Sequence, residues 1–81
     1  MQVRVLFFAS IREKLRCREV ACALPAEATV RDLVEQLCRD YPPLAELRSA
    51  LSTAVNREYV DADHCLSDND EVALIPPVSG G

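Results

Sequence analysis

The stretch Thr29-Val30-Arg31-Asp32-Leu33-Val34-Glu35-Gln36-Leu37-Cys38-Arg39-Asp40-Tyr41-Pro42-Pro43 decides the fold. Val30, Leu33, Val34, Leu37, Cys38 and Tyr41 recur at the i, i+3, i+4, i+7 spacing of a single helical face, so residues 30–41 form an amphipathic helix that must bury that face. Thr29 marks its start, with a hydroxyl placed to accept from the backbone N–H of Asp32 while the Asp32 carboxylate reaches back or faces the positive end of the helix dipole. Pro42-Pro43 stops it, because proline disfavours helical geometry in the residue before it and supplies no donor.

Working outward, Val3–Phe8 is rich in β-branched and aromatic residues and reads as a central strand, with Val3, Val5 and Phe7 on one face and Leu6 and Phe8 on the other. Ser10 is expected to cap a short helical or turn segment through Leu15, and Glu19–Leu24 places Val20, Cys22 and Leu24 on one face of a second strand. After the helix, Leu44, Leu47 and Leu51 suggest a short second helix, and Thr53–Asn56 and Tyr59–Val60 are strands about Asn56-Arg57-Glu58. Asp68-Asn69-Asp70 is a turn in which Asn69 accepts a left-handed conformation, and Glu71–Ile75 is the last strand. A helix that follows two strands and precedes the rest covers one face of a mixed sheet, an α+β arrangement called a β-grasp. The expected division is a domain at residues 1–75 and a flexible tail at residues 76–81.

Eighty-one residues suffice for one modest core. Nine basic against thirteen acidic residues leave a net charge of −4, a poor match to nucleic acid. The apolar run Val5–Ala9 is too short for a membrane span or a signal peptide, which leads to a cytoplasmic expectation. Cys17, Cys22, Cys38 and Cys65 contain no C-x-x-C pair, so they read as reduced, mostly buried thiols and not as a metal site. The acidic stretch Glu58, Asp61, Asp63, Asp68, Asp70 and Glu71 reads first as solvated surface and second as a dock for a basic partner. Lys14 is the only lysine; the other eight basic residues are arginines.

Both glycines of the chain are its last two residues, where average usage of about 7% would give around six throughout. Gly80 and Gly81 follow the final strand and connect to no later element, so turn formation does not account for them. Without a Cβ, this end can thread a narrow channel and present an uncovered carboxylate. Pro76-Pro77 ahead of it cannot extend the sheet. Pro76, Pro77, Val78, Ser79 and Gly80 therefore read as a delivery arm for the carboxylate of Gly81. A carboxylate is a poor electrophile and needs activation by ATP. The chain has no phosphate-binding glycine loop, so a partner supplies that activation. A partner-binding patch is expected beside the arm, at Phe7, Phe8, Leu74 and Ile75, unless the Leu44–Leu51 helix covers the second face of the sheet.

The segment LSDNDEVALIPPVSGG (Leu66–Gly81) resembles the C-terminal signature of molybdopterin synthase small subunits, as do VRVLFFASIREKL (Val3–Leu15) and TVRDLVEQL (Thr29–Leu37). The resemblance implies a ubiquitin-like sulfur carrier that binds no cofactor and is inert alone. Gly81 would be adenylated by a ubiquitin-activating-type adenylyltransferase using ATP and converted to a thiocarboxylate. The tail would then enter the molybdopterin synthase large subunit and give its sulfur to cyclic pyranopterin monophosphate. Asn69 departs from the glycine that the family often has there, with little consequence, since Asn accepts the same conformation. Alternatives are a carrier for thiamine, cysteine or tRNA thiolation, a modifier forming isopeptide bonds through Gly81, or a plain ubiquitin-like interaction module.

Overall fold

A computed structural model describes residues 1–77 and contains five strands: β1 (Gln2–Phe7), β2 (Glu19–Ala23), β3 (Ser52–Val55), β4 (Glu58–Val60) and β5 (Glu71–Ile75). They form one sheet in the order β2-β1-β5-β3-β4. The central pair β1–β5 is parallel and every other pairing is antiparallel. Three α-helices, α1 (Ala9–Leu15), α2 (Val30–Asp40) and α3 (Pro42–Ala45), and a 3₁₀ turn at Arg48–Ala50 complete the described residues.

The helix that decides the fold begins as its sequence dictates. The Thr29 N–H donates to Asp32 Oδ2 at 2.9 Å and the Asp32 N–H to Thr29 Oγ1 at 3.3 Å, a closed capping box. The next two amides are also used: the Val30 and Arg31 N–H groups donate to the His64 and Ala62 carbonyls, which pins the loop after β4 against the helix start. Val30, Leu33, Val34 and Leu37 of α2 are buried against Val3, Val5 and Phe7 of β1 and Val72 and Leu74 of β5 in one core. Each fully buried Leu, Val or Phe in it contributes about 1.5–3 kcal/mol.

Three local expectations are corrected. The first helix is not capped by Ser10: it starts at Ala9 directly after the strand, and the Ile11 and Arg12 N–H groups donate to the Phe8 carbonyl with no side-chain cap. Pro42-Pro43 ends α2 but also opens α3, because a proline at the first helical position gives up only an N–H that has no helical partner. The expected helix at Leu44–Leu51 is therefore α3 followed by the 3₁₀ turn, and Leu44 is buried in the same core as Phe7. The β3–β4 hairpin turns on two residues, Asn56 (φ 50°) and Arg57 (φ 73°), so Glu58 belongs to the strand and pairs with Val55.

Six described residues have positive φ and none is glycine: Ala9, Arg16, Glu27, Asn56, Arg57 and Asn69. Asn69, at φ 69°, sits where the sequence places a left-handed turn. Its neighbour Asp70 accepts from the Ser67 N–H at 2.7 Å and from Asn56 Nδ2 at 2.9 Å, which fixes the start of β5 against the hairpin.

Candidate functional site

Strand alternation divides the sheet residues between two environments. Val3, Val5, Phe7, Thr53, Val55, Val72 and Leu74 face the helices and are buried. The opposite face carries Leu6 of β1, Ala73 and Ile75 of β5, Ala54 of β3 and Tyr59 of β4, and α3 does not cover it, since Leu44 packs on the helix side. Leu6, Ala73, Ala54 and Tyr59 form one row across four strands. The two alanines make a low floor, and the larger side chains with Phe8 enclose a hollow of about 400 Å³ that Arg57 and Glu71 also line. Phe8 is 43% exposed and Tyr59 74% exposed, the two large hydrophobic side chains most open to water among the described residues.

Further along the same face, Arg4 lies 3.7 Å from Glu19 and 3.4 Å from Glu71. These half-exposed pairs contribute little to stability. They give the open face a charged end and leave its apolar end beside Phe8 and Ile75.

From that apolar end the chain leaves the sheet. Ile75 makes the last pairing of β5, with Ser52, and Pro76-Pro77 cannot donate to a ladder, so pairing stops there. Pro76 is half-buried and Pro77 exposed. Val78, Ser79, Gly80 and Gly81, expected to carry and present the working carboxylate, lie outside the described residues.

The structure separates the residues expected to bind a partner. Phe8 and Ile75 lie on the open face at the root of the tail. Phe7 and Leu74 do not: they are 2% and 0% exposed on the helix-covered face, because each stands one position away from its neighbour and strand alternation turns it inward. Phe7 instead meets Tyr41 edge to face, with ring centroids 5.9 Å apart. Leu6, Ala54, Arg57, Tyr59 and Ala73 were not singled out from the sequence. Two-residue spacing from Phe8 and Ile75 points to Leu6 and Ala73, but Ala54, Arg57 and Tyr59 arrive only through the pairing of β3 and β4.

The cysteines also depart from expectation, since only Cys22 is buried; Cys17 and Cys38 are half-buried and Cys65 is exposed. Burial pushes the Cys22 thiol above its ordinary value, helped by the nearby negative charge of Asp40. In the acidic stretch, Asp63 binds Arg31 at 2.6 Å, and Asp68 and Asp70 accept backbone N–H groups, so part of that charge is structural. Among the described residues no His, Cys, Asp and Glu side chains gather to hold a metal, and no helix is long and apolar enough to cross a membrane.

Comparison with known proteins agrees with this geometry. The molybdopterin synthase sulfur carrier subunit of Escherichia coli is 43% identical over 82 residues, covering 98% of this chain and 99% of that one. The crystal structure of SAMP1 from Haloferax volcanii superposes with a TM-score of 0.89 at 27% identity, covering 100% of both chains. A chain from the protein–protein complex of subunits 1 and 2 of the molybdopterin-converting factor of Helicobacter pylori superposes with a TM-score of 0.74 at 27% identity, again over 100% of both. The ubiquitin-like β-grasp and the resemblance read from the sequence both hold. The pattern of the ThiS family matches residues 5–81, and the chain belongs to the ThiS family.

Proposed function

We propose that this chain is a sulfur carrier of molybdenum cofactor biosynthesis and the small subunit of a molybdopterin synthase. The observation that carries the reading is the full-length likeness to the E. coli sulfur carrier subunit. Two features of the molecule support it. The fold accommodates six left-handed backbone positions without a glycine, so the pair at Gly80 and Gly81 answers to something other than turns. The strand that leads to them ends beside an uncovered apolar hollow, a surface on which a partner can hold the domain while the tail enters its active site.

In this reading the carboxylate of Gly81 is the working group. A ubiquitin-activating-type adenylyltransferase joins the carboxylate to the AMP portion of ATP and releases pyrophosphate. A sulfur donor then displaces AMP to leave a thiocarboxylate, whose sulfur is the softer and better nucleophile. Within the large subunit that sulfur passes to cyclic pyranopterin monophosphate, and water restores the carboxylate. The likeness to one member of the H. pylori two-subunit complex supports a large-subunit partner. The domain contributes position and recognition, and no side-chain acid or base is required of it.

Intact-mass spectrometry after incubation with the adenylyltransferase, ATP and a sulfur donor tests this. One terminal oxygen replaced by sulfur is the expected product, and a chain lacking Gly80 and Gly81 should not form it. An unchanged mass in the full chain under conditions that load the E. coli carrier would overturn the reading. A second reading, a protein modifier, is favoured by the likeness to SAMP1, a small archaeal modifier protein. It predicts Gly81 in isopeptide linkage to lysines of other proteins in cell extracts.

A further inference from the structure

The sheet has two edges, and they are built differently. At one, β4 is three residues long and opens with Glu58, and the loop after it is held against α2 by the Ala62 and His64 carbonyls. At the other, β2 runs for five residues, Glu19–Ala23, in unbroken register with β1. It has no proline, no lysine and no bulge, and its one charge is at its first residue, so it lacks the devices that ordinarily blunt an edge.

The hydrogen bonds show which backbone groups this edge leaves open. Met1 and Leu24 exchange both bonds, each at 2.8 Å, and the Phe7 N–H donates to the Arg18 carbonyl at 2.9 Å. Antiparallel pairs alternate, so Val20 and Cys22, opposite Val5 and Val3, also turn their backbone groups towards β1. Glu19, Ala21 and Ala23 then turn theirs outward, and all three residues are exposed. Among the described residues one group meets that row: the Cys17 thiol lies 3.4 Å from the Glu19 carbonyl, a weak contact on an oxygen with two lone pairs.

We propose that β2 is a self-association edge, through which two copies of this chain pair antiparallel about a two-fold axis at Ala21 and join their five-stranded sheets into one. The open row is its own complement. Its positions are symmetric about Ala21, so Ala21 exchanges both bonds with Ala21 of the second copy, and Glu19 exchanges both with Ala23 of that copy at each end. Charge permits the same register, because each Glu19 stands opposite an alanine and never opposite the other Glu19. A strand this short makes a small interface, so the dimer is weak and reversible. The two sheets share one surface, with both open faces on the same side and both hollows uncovered. The inference does not depend on the carrier reading.

Sedimentation equilibrium of the full chain under reducing conditions, from micromolar to millimolar concentration, tests it. A reversible monomer–dimer equilibrium is expected, with the Glu19, Ala21 and Ala23 amides exchanging more slowly as concentration rises. Ala23→Lys places an opposite charge against Glu19 of the second copy and Ala23→Glu a like one. Both side chains point into solvent opposite the neutral Gln2, and the two Kd values should lie at least about fivefold apart, with the lysine variant tighter. Adding Glu19→Lys to Ala23→Lys should cancel the gain, although it brings the net charge nearer zero. A monomer at every concentration, a dimer without protection of the three amides, or equal affinities for the two Ala23 variants would each overturn the inference. So would tighter pairing in the double variant, which would make net charge the cause.

Discussion

The two faces of the sheet are built from the same strands yet meet opposite surroundings. On one, Val3, Val5, Phe7, Val72 and Leu74 disappear beneath α2 and α3, and close packing leaves no room for exchange of side chains. On the other, Leu6, Ala54, Tyr59, Ala73 and Ile75 with Phe8 enclose a hollow that no element of the described chain covers. Apolar residues alone therefore do not say whether a position is covered or left open. The side of the strand on which each falls does.

The contrast can be broken most severely from within the covered face. Leu37, fully buried, should cost about 2–5 kcal/mol of unfolding free energy when truncated in Leu37→Ala, through lost transfer energy and the cavity left behind. Chemical denaturation would measure it, and a loss below about 1 kcal/mol would mean that α2 is not the lid it is taken to be. On the open face the same kind of truncation should act on binding. Phe8→Ala is expected to change stability by less than about 1 kcal/mol while weakening association with the large subunit by about 1–2 kcal/mol, roughly five- to thirtyfold in Kd by calorimetry. Equal losses in both quantities would erase the distinction between the faces.

The smallest effect sharpens the comparison at the edge of the core. Cys22 has a thiol raised above its ordinary value by burial and by Asp40, so the folded chain holds that proton more tightly than the unfolded chain. The associated stability is fully present below the unfolded thiol value of about 8.5 and is lost as pH rises through the higher folded value. Denaturation midpoints should therefore decline as pH rises above about 8.5, and Cys22→Ala should shallow that decline. An unchanged slope would show that Cys22 is wetter than its position in β2 implies.

Much of this was legible in the sequence because local rules and global packing agree there. The Thr29–Asp32 box, the apolar stripe of α2 and the strands at both ends of the chain are each set by residues within a few positions of one another. The open face is harder to read, since β1 and β5 are apolar on both sides and alternation does not say which side the helix takes. Phe7 and Leu74 were grouped with Phe8 and Ile75 for that reason. Tyr59, Ala54 and Arg57 join the hollow only through the register of β3 with β5 and β4, a relation between distant segments. The start of α1 was missed because Ser10 is a good cap residue, yet the chain turns out of β1 with no position to spare for one.

The parallel pairing of β1 with β5 has a consequence for how the molecule is made. Beside β2, Arg4–Phe7 pair with Glu71–Leu74, far along the chain, so the centre of the sheet stays open until β5 has been synthesised. A nascent chain still missing its final strand lacks the middle of its own scaffold. Closure of the sheet and the arrival of β5 thus fall together, and a copy that stops short of Glu71 has no finished sheet.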